Sequence, residues 1–130
     1  MGVEDIVYDL IKEFRASKSD RKKQIDLAKA IAKKTYLRFY FEWDTEKGSK
    51  RKEGIYRSQQ EILYHYCQVF LDIAVEIYDV LPEESERMKN IASLMKEGAY
   101  GLVTSTKNEV TPVGDNCALK VTEYVDDLIQ

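Results

Sequence analysis

The chain has 130 residues, 44% of them hydrophobic and 33% charged, with a net charge of −3. That is enough sequence for one hydrophobic core without staples and too apolar for disorder. No apolar run approaches the roughly 20 residues that a membrane helix needs. Cys67 and Cys117 lie 50 residues apart, match no metal or redox spacing, and read as small buried hydrophobes of a reducing compartment. Acids stand where a secretory signal needs bases, in "MGVEDIVYDLIKEF". A cytoplasmic protein without membrane contact is expected.

Taken in chain order, Val3, Ile6, Val7, Leu10, Ile11 and Phe14 recur at three and four, one face of an amphipathic helix. The pattern fades at "ASKSD", where Ser17, Ser19 and Asp20 are good caps for a second helix. That helix turns Ile25, Ala28, Ile31 and Ala32 inward and carries six Lys or Arg outward. It continues through "TYLRFYFEW", residues 35–43. By propensity this run also suits a strand, but no partner strand exists elsewhere and lone strands are unstable. Residues 45–53 then read as a basic connecting loop.

The central element is expected over residues 54–81. With Glu61 at zero and 100° per residue, Ser58, His65, Gln68, Asp72, Glu76 and Asp79 fall within about 60° of it, and nearly everything else is apolar. Such a helix must be surrounded. Pro82 opens the next helix in its favoured first-turn position, and Glu83, Glu84 and Glu86 suit the positive end of its dipole. Gly98 reads as its stop. Residues 104–115, "TSTKNEVTPVGD", read as a polar loop. A short last helix follows, capped by Asp115 or Asn116, with Ala118, Val121, Tyr124, Val125 and Leu128 inward. The expected architecture is an all-α, single-domain bundle of four main helices plus a short C-terminal one.

Charge is spread unevenly. Residues 1–60 hold 15 Lys or Arg against 10 Asp or Glu, and residues 61–130 hold 5 against 13. Between Lys18 and Arg57 the cations interleave with Tyr36, Phe39, Tyr40, Phe41, Trp43 and Tyr56. Rings stack on unpaired bases while cations neutralise phosphates. One reading is therefore an RNA- or DNA-contacting subunit using Lys33, Lys34, Arg38, Lys50, Arg51 and Lys52. The plainer reading makes the rings core and the lysines a solvated helix face.

The stripe Glu61, His65, Asp72, Glu76, Asp79 poses a second choice. Carboxylates at such spacing point one way and would share a divalent cation if another helix faced them; if water faces them, they are the wet edge of the bundle. "EILYHY", residues 61–66, is similar to a segment of the all-helical nucleotide pyrophosphatases, which bind magnesium through an E-x-x-E pair and a later E-x-x-D pair. Glu61 stands where that family has Asp, Ser58 stands at the partnering Glu position, and no E-x-x-E precedes them. Glu76-x-x-Asp79 and Glu123-x-x-Asp126 also spell E-x-x-D. The likeness covers six residues and implies a magnesium-dependent hydrolase using Glu61, Asp72, Glu76 and Asp79.

His65 is the single histidine, so one chain holds no His-based triad or multi-His site. No Gly-rich phosphate loop is present. Ionisable groups fall in periodic faces rather than motif spacing, and four of nine tyrosines (Tyr36, Tyr40, Tyr64, Tyr66) lie on the second and third elements. Partner surfaces are rich in Tyr, Arg and Met. The first expectation is thus a non-catalytic bundle with no catalytic residue and no cofactor, acting through protein–protein contacts, by self-association or as an accessory subunit. The nucleic-acid subunit and the magnesium hydrolase rank after it.

Overall fold

A computed structural model describes the backbone of residues 3–53, 57–104 and 110–129, and the side chains of residues 7–44, 59–99 and 112–129. Five helices follow one another: α1 (Val3–Ala16), α2 (Arg21–Glu53), α3 (Arg57–Ile77), α4 (Pro82–Thr104) and α5 (Val110–Ile129). Among the described residues there is no strand, so residues 35–43 are helical and the all-α class holds.

Local chemistry sets the joints. The α1 chain turns where the Ser17 hydroxyl donates to the Glu13 carbonyl and the Gln24 side-chain amide donates to the Phe14 carbonyl. Asp20 caps α2 by accepting the Lys23 backbone N–H at 3.1 Å. Pro82 lacks a backbone N–H and disfavours helical geometry at Leu81. The rod therefore ends at Ile77, whose carbonyl accepts from the N–H groups of Val80 and Leu81, and Pro82 begins α4.

Four boundaries differ from expectation. The central helix spans 57–77 rather than 54–81, with 54–56 outside the described residues. The basic segment 45–53 is helix, the end of α2: Lys, Arg and Glu are strong helix formers, and Gly48 alone does not stop a rod of 33 residues. The polar segment 104–115 is not all loop, since Thr104 ends α4 and α5 begins at Val110, with 105–109 outside the described residues. Pro112 is tolerated because first-turn N–H groups lack intrahelical acceptors anyway. The last helix is accordingly 20 residues long, not short, and Asp115 lies inside it instead of capping it.

Gly98 likewise sits within α4 and stops nothing. A β-carbon there would meet the Val113 side chain at 2.5 Å, and one at Gly114 would run into the Trp43 ring. Both glycines are points of close approach, one bringing α5 onto α4 and the other onto α2.

The core lies between α2, α3, α4 and α5, with α1 laid against α2. Its centre is a cluster of rings. Tyr36, Phe39, Trp43, Tyr66 and Phe70 are all buried, and Phe39 meets Tyr66 at 5.3 Å and Phe70 at 6.0 Å, edge to face. Burial of the ring hydroxyls demands acceptors. Tyr36 donates to Glu84 of α4, and Tyr66 donates to Glu42 of α2. Each phenol is driven above its ordinary pKa, first by burial and then by its glutamate. Each glutamate also has an arginine on its own helix, Arg87 at 3.6 Å from Glu84 and Arg38 at 3.7 Å from Glu42. Two Tyr–Glu–Arg clasps thus tie α2 to α4 and to α3.

Candidate functional site

The acidic stripe of α3 faces outward. Glu61, His65, Asp72 and Asp79 are exposed. Glu76 is half-buried and taken by Arg15 of α1 in a two-pronged contact of 3.0 and 2.5 Å. That hydrogen bond, and then the carboxylate charge, raises the Arg15 pKa above its ordinary value. The Asp72 carboxylate accepts from Gln68, and the Asp79 carbonyl accepts from Arg21. Among the described residues no three His, Cys, Asp or Glu side chains gather to hold a cation. What faces the stripe is water and the basic end of α1, so it is the wet edge of the bundle. Beside it an open hollow of about 580 Å³ is lined by Arg15, Lys18, Arg21 and Glu76; its two arginines already serve Glu76 and the Asp79 carbonyl.

The aromatic stretch divides by helical phase. Tyr36, Phe39 and Trp43 point into the core, and Trp43 donates its indole N–H to Asp115 at 3.0 Å. Leu37, Tyr40 and Phe41 point out, with Phe41 61% exposed. Of the cations expected to meet phosphate, Lys34 is exposed and Lys33 half-buried. Arg38 is engaged with Glu42 and lies 5.8 Å over the Phe41 ring. Lys50, Arg51 and Lys52 belong to the end of α2, and their side chains, like Tyr56, fall outside the described residues. Opposite Tyr40, exposed Leu119 of α5 lines a shallow groove with Asp44 and Thr122. Of the four tyrosines proposed for an interface, Tyr36 and Tyr66 are core, whereas Tyr40 and Tyr64 reach the surface.

The surface of α3 holds a feature that sequence reasoning missed. Tyr64, Leu71, Val75 and Tyr78 are exposed, Val75 to 74%. At 100° per residue the open arc of this helix, from Leu71 round to Glu76, covers about 140°, and exposed Tyr78 continues the apolar side in the turn that follows Ile77. The rod is therefore not wrapped on every side but a thin margin. Half its open arc is polar and half apolar: α2 and α4 pack on its other faces, and α1 reaches the polar half only at the end of the helix, where Arg15 meets Glu76. Tyr64, Gln68, Leu71, Val75 and Tyr78 follow one another at four, three, four and three residues, the seam of a coiled coil. The spacing is readable in the sequence, but hydrophobicity alone puts Leu71, Val75 and Tyr78 in the core, Gln68 falls in the polar arc, and only Tyr64 is expected at a contact surface.

The seam is bordered differently on its two sides. Asp72 and Asp79 stand one residue past Leu71 and Tyr78, on the acidic side. On the other side α4 brings Lys89, whose Nζ lies 5.3 Å over the Tyr78 ring, and Lys96, whose charge opposes the burial that raises the Cys67 thiol.

No known protein family, characterised protein or solved structure matches this chain. Among the described residues, the α3 seam and the outer face of α2 both leave large apolar side chains open. No helix among the described residues is long and apolar enough to cross a membrane, so a lipid interior does not explain either apolar face.

Proposed function

We propose that this chain is a non-catalytic binding component that works by protein–protein contact through the exposed seam of α3. The observation that carries this reading is Val75, 74% exposed in the middle of a row formed by Tyr64, Leu71 and Tyr78. Scattered apolar residues need no explanation, but a contiguous row rimmed by charge has the make-up of a contact surface, here with a Tyr at either end. Burying such a row on a partner releases about 25 cal/mol per Å² of apolar surface. Both cysteines are free, which fits a reducing compartment, and the cytoplasm is where we place the protein. The test compares the native particle carrying the wild type with that carrying Val75→Asp in extracts of its source cells. A wild-type particle larger than the 15.1 kDa chain, collapsing to the free chain on substitution, is the expected result. A wild type that runs free, or a particle indifferent to the substitution, refutes the reading.

One observation favours nucleic acid as a second reading: Tyr40 and Phe41 are exposed on the same face of α2 as Lys34 and half-buried Lys33. Titration of labelled single-stranded RNA at low and high salt decides it. Binding that falls steeply with salt and is lost in Phe41→Ala supports it, and unchanged signal at low salt removes it.

A further inference from the structure

We infer that the seam of α3 takes a second copy of this chain, with the twofold axis running along α3 so that the two seams pair in parallel and in register. The inference rests on the contact role proposed above and adds the partner and the geometry. Its warrant is the asymmetry of the borders. A twofold axis parallel to the helix carries the acidic edge of one copy over to the lysine edge of the other. Asp72 and Asp79 would then approach Lys89 and Lys96 of the second copy, as flanking charges do in parallel coiled coils. An axis across the helix carries each edge onto itself, setting Asp72 and Asp79 against acids and lysine against lysine, which repel.

Spacing points the same way. Tyr64, Leu71 and Tyr78 are seven apart, so in a parallel pair each meets its own counterpart and, Gln68 aside, apolar groups face apolar groups. Gln68, the one polar residue of the seam, then meets Gln68 and fixes register as buried polar residues at such positions do. On α4, Glu86 and Glu97 stand further round the helix than the two lysines by helical phase, outside the contact and toward solvent.

The test combines light scattering with cross-linking of the full chain. Wild type is expected at twice the 15.1 kDa chain mass, and Val75→Asp is expected to weaken the pair by at least about tenfold. Because Val75 is exposed, that substitution leaves the melting curve of the separated chain unchanged within about 0.5 kcal/mol. Tyr64→Cys and Tyr78→Cys, each made alone in the native background, should form covalent dimers on mild oxidation. The native cysteines are buried, and oxidised wild type serves as the blank. If covalent dimer appears only when the two variants are mixed, the pair is antiparallel and the inference fails. A chain that stays monomeric at millimolar concentration also overturns it. A monomer that still travels in a larger native particle removes only the second copy and leaves the contact role standing.

Discussion

Replacing Tyr36 by Phe removes one oxygen from the centre of the molecule and nothing else. The ring keeps its edge contact with Phe70 at 5.6 Å and its tilted contact with Tyr124 at 5.8 Å. What disappears is the hydrogen bond to Glu84, a carboxylate only 6% exposed. Hydrogen bonds to charged groups contribute about 1.5–3 kcal/mol, so a cost of about 2 kcal/mol is expected at neutral pH. With an unfolding entropy of about 2.1 cal/mol/K per residue, a chain of 130 residues would lose about 7 °C in Tm. The loss depends on pH in a definite direction. Burial holds the Glu84 carboxyl above its ordinary pKa, and the Tyr36 hydroxyl and Arg87 pull it back down. A group raised in the folded state contributes stability that is complete below its unfolded pKa and is lost as pH rises through its folded pKa. Tyr36→Phe raises the folded pKa further, so the deficit against wild type is full at neutral pH and shrinks as Glu84 is protonated. Thermal melts followed by circular dichroism at neutral and acid pH measure both quantities. A deficit of equal size at the two pH values, or none at neutral pH, would refute the charge-assisted bond.

Other expectations follow from the same contacts. Gly114→Val should push the Trp43 ring aside and cost about 1–3 kcal/mol; Trp43 is the single tryptophan, so its emission should shift to the red. Cys117 is fully buried and its thiol is pushed up to about 12, so a thiol reagent should modify it only through unfolding, and more slowly than Cys67. Excess Mg²⁺ should leave the Tm unchanged, since Glu76 is spent on Arg15. A rise that Glu76→Ala abolishes would reinstate a cation on the α3 stripe. Arg15→Ala should lower the Tm little, and less still in high salt, because that pair is open to water; a large, salt-independent drop would refute this.

Helix periodicity made the bundle legible, because apolar residues at three and four identify a rod wherever it packs. It placed Ala28, Ile31, Phe70, Met88 and Val121 in the core, and they are there. It did not place Val75 or Tyr78, since a pattern reports that a residue is apolar and not whether its neighbour belongs to the same chain. Gly98 and Gly114 failed for a related reason. Their freedom to break a helix is visible in the sequence, but the rings and methyls that crowd against them come from residues at least 15 positions away. The clasps Tyr36–Glu84 and Tyr66–Glu42 were invisible too, since their partners are 48 and 24 residues apart. That the acids of α3 share one face, by contrast, followed directly from phase, although which way that face points did not.

The seat of Trp43 against Gly114 bears on how the molecule is made. During synthesis, α2, α3 and α4 are made before α5. Through that interval Trp43 lacks Gly114 and Asp115, and Tyr36 lacks Tyr124, so rings of the nascent core stay open to water and to chaperones. Docking of α5 is what closes the ring cluster, and a chain cut short after α4 would keep those rings exposed and sticky.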